Sequence, residues 1–116
     1  MLSAEGKFIS LIYDGSFEGF LSCVFFCFEK RLWPTSITGK AHHQASLFGH
    51  SQFIPTEFAK SERVWRGLSK ILVPSSSQNL FKAFLSEEQQ IELHLFRYIK
   101  LAIESKVDPH GNFADH

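Results

Sequence analysis

The sequence predicts an α+β fold: an N-terminal strand and a short sheet packed against several helices, with a mostly helical C-terminal half. Three observations predict it. Residues 7–13, KFISLIY, are apolar on both faces of an extended segment; residues 16–32 carry an unbroken helical stripe; and from Thr56 onward the apolar residues recur at helical spacing.

The first segment, Lys7 to Tyr13, is expected to be a central strand, because a strand at a sheet edge normally keeps one polar face. Asp14-Gly15 supplies turn chemistry after it, and Ser16 is placed to cap a helix with its hydroxyl. In that helix Phe17, Phe20, Leu21, Val24, Phe25, Phe28 and Leu32 form one continuous stripe, and Cys23, Phe26 and Cys27 make a second face apolar. A helix apolar over so much of its circumference needs cover on two sides. Phe20, Val24 and Phe28 are therefore expected to be almost wholly buried. Pro34 disfavours helical geometry at Trp33 and sets the end near Leu32.

Residues 35–54 read as loop, with short strands near Ile37 and Phe53-Ile54. Thr56 is the expected N-cap of a helix reaching about Leu72, with Val64, Trp65, Leu68, Ile71 and Leu72 as its apolar stripe. Pro74 and the run Ser75-Ser76-Ser77 read as a connector before a short helix from Gln78 to Leu85. Ser86 with Gln89 has the spacing of a capping box and predicts a helix to about Ser105, with Ile91, Leu95, Ile99 and Ala102 in one row. The chain is thus read as one α+β domain over residues 1–105 and a polar tail over residues 106–116, where no periodic signal remains.

Composition narrows the function classes. The chain has 116 residues, 44% apolar and 21% charged, which is globular rather than disordered. Twelve basic residues balance twelve acidic ones, so no global positive field draws the chain to nucleic acid. Cys23 and Cys27 lie four apart, which on a helix puts their Cβ atoms about 5–6 Å apart. A disulfide needs roughly 3.8 Å, so reduced thiols packed as small hydrophobes are expected. Met1 to Gly6 lack the basic and apolar regions of a signal peptide, and the apolar stretch Phe17–Phe28 is too short to span a bilayer. A soluble protein of the reducing cytoplasm, with no membrane contact, is expected.

Thirteen phenylalanines are many for this length. Either the core is unusually rich in Phe or some rings wait for a partner surface. The second alternative predicts an exposed apolar patch drawing on the first helix or on Phe81 and Phe84.

The segment Ile12-Tyr13-Asp14-Gly15-Ser16-Phe17-Glu18-Gly19-Phe20-Leu21 resembles the opening of the bacterial probable DNA-metabolism protein family. The likeness continues at Ala59, Arg63, Val64, Gly67 and Leu68, at Phe84-Leu85-Ser86-Glu87-Glu88, and at Leu95-Phe96-Arg97-Tyr98-Ile99-Lys100-Leu101. The resemblance implies a role in DNA repair or modification beside a radical-SAM partner protein. It also implies a longer architecture with a second, more basic half containing a domain of unknown function, sometimes fused to a domain similar to uracil-DNA glycosylases. On that basis the chain is expected to be an N-terminal portion that docks to such a half. The resemblance carries no catalytic residue onto these positions, and it implies no cofactor for this part.

A DNA role directs attention to the cations. Lys60, Arg63, Arg66 and Lys70, three or four apart, can line one helix face and touch phosphates, although a solvated helix surface has the same pattern and Glu57 and Glu62 dilute it. Arg97 and Lys100 flank Tyr98, which can either stack on an exposed base or sit at the core boundary. His42, His43 and His50 match no metal-site spacing, so no metal is expected. Asp14 and Ser16 stand where α/β proteins often bind ligands, at a strand's C-terminal end, but a turn followed by a cap accounts for the same residues. An enzyme and a non-catalytic protein-interaction module both remain open.

Overall fold

Strand β1 (Ile9–Tyr13) leads into helix α1 (Phe17–Lys30), which returns the chain to strand β2 (Ser36–Gly39). A 3-10 turn, Lys40–His42, and strand β3 (His50–Phe53) precede three helices, α2 (Phe58–Ile71), α3 (Pro74–Leu85) and α4 (Ile91–Ser105). This computed structural model describes residues 9–42 and 50–109, with the backbone alone at His42 and His50. The fold is α+β. Lys7, Phe8 and His43, which the sequence places in the first strand and the histidine cluster, lie outside the described residues.

The three strands form one parallel sheet in the order β2-β1-β3, so β1 is central as its apolar run predicts. A parallel pair needs a crossover between its strands, and α1 supplies it for β1 and β2. Leu11 and Tyr13 are buried, whereas the alternate residues Ser10 and Ile12 are only half-buried. Ser10 pairs with Ser36, and the Ser36 hydroxyl donates to the Ser10 hydroxyl at 2.8 Å. β1 therefore presents one deep face and one shallower, partly polar face. Its sequence overstates the cover because Ile12 is apolar without being buried.

α1 packs along α2 and against β1, and α4 reaches both α2 and β2. Phe20 and Val24 are completely buried between these layers. Phe28 is only half-buried, contrary to expectation, because it lies near the end of α1, where its ring meets Trp33 at 5.8 Å and Phe96 at 6.3 Å. Arg31 in left-handed geometry (φ 52°) ends the helix, and its N–H and that of Leu32 both reach the Cys27 carbonyl. Cys23 and Cys27 are free, buried thiols, and burial pushes both up, Cys27 to about 12.

Three helix starts differ from those the sequence predicts. α2 opens at Phe58 behind Glu57, not behind Thr56, because the Thr56 hydroxyl is drawn away to Asp14 and Ser22 Oγ takes the Glu57 N–H at 3.0 Å. Pro74 and the three serines are the first turn of α3 rather than a connector. Proline costs nothing at N1, and the Val73 N–H just before it donates to the buried Asp108 carboxylate at 2.9 Å. Ser86 does not open α4. It closes α3, donating to the Ala83 carbonyl at 2.6 Å, while Glu87 and Gln90 adopt positive φ in the turn before Ile91.

Val24 has no exposed surface, so Val24→Asp forces an unpaired charge into an apolar site at a cost above about 4 kcal/mol. Loss of the cooperative thermal transition in circular dichroism is the expected result.

Candidate functional site

The described residues form at least two concave surfaces. The first lies at the carboxyl ends of β1 and β2. Immediately after β1 the chain turns through Gly15 (φ 96°), and the Asp14 carboxylate folds back over the turn. Its Oδ1 accepts from the Ser16 N–H at 2.9 Å and from the Ser16 hydroxyl at 2.6 Å, and its Oδ2 accepts from the Thr56 hydroxyl at 2.8 Å. Ser16 Oγ accepts in turn from the Gly19 N–H at 2.9 Å, the helix cap expected from the sequence. The Ser16 hydroxyl, then its N–H and Thr56, with Lys40 nearby, hold the Asp14 carboxyl below its usual range against a smaller opposing effect of burial.

Beside this turn the cleft encloses about 780 Å³ and reaches the connection between α3 and α4. Tyr13 donates from its buried hydroxyl to Glu92 Oε2 at 2.7 Å. Burial, and then the Glu92 carboxylate, push the phenol far above its ordinary value. Asp14, Glu87, Glu88 and Glu92 line the cleft and, among the described residues, no lysine or arginine does. Its field is thus of the wrong sign for phosphate. Two of its polar groups have structural duties: Asp14 serves the turn and cap, and Tyr13 ties β1 to α4.

The six basic candidates are spread over two helices. Lys60 and Arg63 converge on the Phe25 ring, at 5.3 and 5.5 Å from its centroid. Lys60 also pairs with Glu57 at 3.3 Å, and Arg66 pairs with Glu62 at 2.8 Å. On α4, Lys100 pairs with Glu104 at 3.1 Å and lies 4.5 Å over the Trp33 ring. Arg63, Lys70 and Arg97 are exposed and make no ion pair among the described residues. Tyr98 is half-buried against the core, and burial followed by Asp108 raises its phenol. Trp33, not Tyr98, is the aromatic beside Lys100. The side chains of His42 and His50 lie outside the described residues, as does all of His43.

The second surface is a groove of about 500 Å³ between α1, α2 and α3. Phe17 and Leu21 come from α1, Phe58 and Trp65 from α2, and Phe81 from α3, with Glu18 and Glu62 at the edge. The Phe17 ring stands nearly perpendicular to Trp65 (5.5 Å, 81°) and to Phe81 (5.0 Å, 78°), so the rings meet in corners rather than a stack. Phe58 is 71% exposed and Phe81 41%. Phe84, expected to share such a patch, is buried against Tyr13 and Phe20 instead. Of the ten phenylalanines described, only Phe20, Phe84 and Phe96 are fully buried. Phe17, Phe25, Phe26 and Phe28 pack partly buried against the core, so a Phe-rich core holds seven of the ten, and Phe53, Phe58 and Phe81 are exposed. The apolar stripe drawn from the sequence of α2 omits Phe58, although it stands seven residues before Trp65 and so shares its side of the helix.

A Cβ on Gly19 would stand 2.8 Å from Thr56 Oγ1, 3.0 Å from Ser16 Oγ and closer still to Asp14 Oδ1. Gly19→Ala is expected to destabilise by about 1–3 kcal/mol, despite the roughly 1 kcal/mol that alanine favours in a helix. A urea titration reads this directly. Because the folded carboxyl of Asp14 is depressed, its stabilising contribution is full above its ordinary pKa of 3.8 and is lost as pH falls through the lower folded value. Asp14→Asn is expected to flatten that acid limb when melting temperature is followed down from neutral pH.

Family models, curated proteins and solved structures were all compared with this chain, and none matches it.

Proposed function

We propose that this chain serves DNA metabolism in the cytoplasm as a docking factor for a radical-SAM partner, without a reaction of its own. The DNA role and the partner come from the resemblance of residues 12–21 and the later segments. The docking mode is supported by one observation above others: Phe58 and Phe81 stand exposed around a groove already shaped by Phe17 and Trp65. Aromatic residues at the centre of an apolar depression are what binding hot spots are made of.

Direct DNA binding is the less favoured mode. Phosphate recognition draws on free cations, and Lys60, Arg66 and Lys100 are each engaged with a carboxylate of their own helix or its cap. Exposed pairs of this kind contribute little to stability, yet they lower the local positive field. No helix of the described residues is long and apolar enough to cross a membrane.

The test mixes the purified chain with a radical-SAM protein of the kind the resemblance implies and follows the complex by sedimentation velocity. Phe58→Ala and Phe81→Ala are expected to weaken the complex about tenfold or more each, the effect of losing a central aromatic. Fluorescently labelled single- and double-stranded DNA forms the second arm. Partner binding unchanged by both substitutions would overturn the docking mode. A DNA complex that weakens steeply with salt would move the function to the α2 cations, provided that Arg63→Glu and Arg66→Glu each lower the salt slope by about one.

A further inference from the structure

Among the described residues, two exposed or half-buried rings carry a cation of the chain's own. Lys60 and Arg63 lie over Phe25, and Lys100 lies over Trp33. The rings of Phe17, Phe58, Trp65 and Phe81 border one groove. It has four aromatic side chains and two carboxylates, Glu18 and Glu62. Among the described residues, no lysine or arginine lines it and no cation lies over any of its rings. Arg66 holds Glu62 at 2.8 Å from outside the lining, while Glu18 makes no ion pair with any described residue.

We propose that this groove takes a lysine side chain presented by a segment of the docking partner. The inference deepens the docking reading and rests on it. Ring faces are negative and attract a cation within about 6 Å of a centroid. The corners that Phe17 makes with Trp65 and Phe81 suit a compact ammonium better than the flat guanidinium of arginine, which stacks on open faces. Leu21 and the ring carbons offer an apolar floor for the four methylenes of the lysine stem, and Glu18 stands at the rim to meet the charge, beside Glu62, which Arg66 already holds. The occupant is therefore apolar along its stem and positive at its tip, which separates it from a purely hydrophobic helix.

The chain has two tryptophans, Trp33 and Trp65. In a Trp33→Phe variant the fluorescence reports the groove alone. The probes are three short capped peptides, identical except for lysine, norleucine or arginine between two leucines, together with tetramethylammonium. The lysine peptide is expected to shift Trp65 emission with an affinity about tenfold above the norleucine peptide. Glu18→Gln and Glu62→Gln, both at the surface, are expected to remove most of that advantage, and added salt to reduce it.

Equal binding of the lysine and norleucine peptides would overturn the cation proposal while leaving an apolar docking groove intact. A radical-SAM complex that needs Phe58 and Phe81 but is indifferent to Glu18→Gln with Glu62→Gln would do the same. Tetramethylammonium binding as tightly as the lysine peptide would replace the peptide with a small ammonium ligand, and self-association blocked by Phe58→Ala would replace it with a second copy. Failure of the partner complex itself, with lysine-peptide binding retained, would sink the docking reading and not the cation site.

Discussion

One carboxylate organises this molecule. Asp14 ends the central strand, and its two oxygens collect the start of α1 through Ser16 and the approach to α2 through Thr56. Three segments thus meet at a point where the backbone is also tightest, since Gly19 passes beneath the same oxygens with no room for a side chain. A second tie, from Tyr13 to Glu92, fastens the adjacent residue of β1 to the last helix, 79 residues away. The end of β1 is therefore the junction of the fold, and the polarity of the neighbouring cleft follows from that duty. Asp14 and Glu92 supply the acceptors, and Ser16, Thr56 and Tyr13 the donors, that the junction uses.

The same constraint explains the character of the outer surfaces. While the strand end is engaged in structural hydrogen bonds, the groove between α1, α2 and α3 is lined with rings. There, Phe17 links the buried Phe20 and Phe84 to the exposed Phe81. Half of the six basic candidates are balanced locally. Lys60, Arg66 and Lys100 find carboxylates one helical turn away, and the first and last of these also cover rings.

Much of this was legible in the sequence where the causes are local. Ser16 caps α1 because a serine after a turn has its hydroxyl in reach of the third amide beyond it. The row Leu95, Ile99 and Ala102 is buried because spacing alone puts it on one face of α4. What stayed hidden depends on partners distant in sequence. Thr56 has the look of a cap and instead serves Asp14, 42 residues earlier. The serine run after Pro74 resembles a break because nothing nearby announces Asp108, which secures Val73 from a stretch without periodicity. Ser86 and Gln89 have capping-box spacing, but the helix that Ser86 serves lies before it, a direction that spacing does not encode. In the groove, Trp65 was legible only as core, since a stripe does not reveal which of its members face a neighbour and which face water.

The two thiols give the core a built-in gauge. Cys23 and Cys27 are the chain's only sulfhydryls and both are fully enclosed in α1. Burial keeps them protonated, so a thiol-directed reagent meets no reactive sulfur in the native state. Alkylation can proceed only when α1 leaves the sheet, and its rate then measures how often the core opens, residue-specifically and without any introduced label. Conditions or partners that quieten the core will register as slower alkylation, whichever surface they touch.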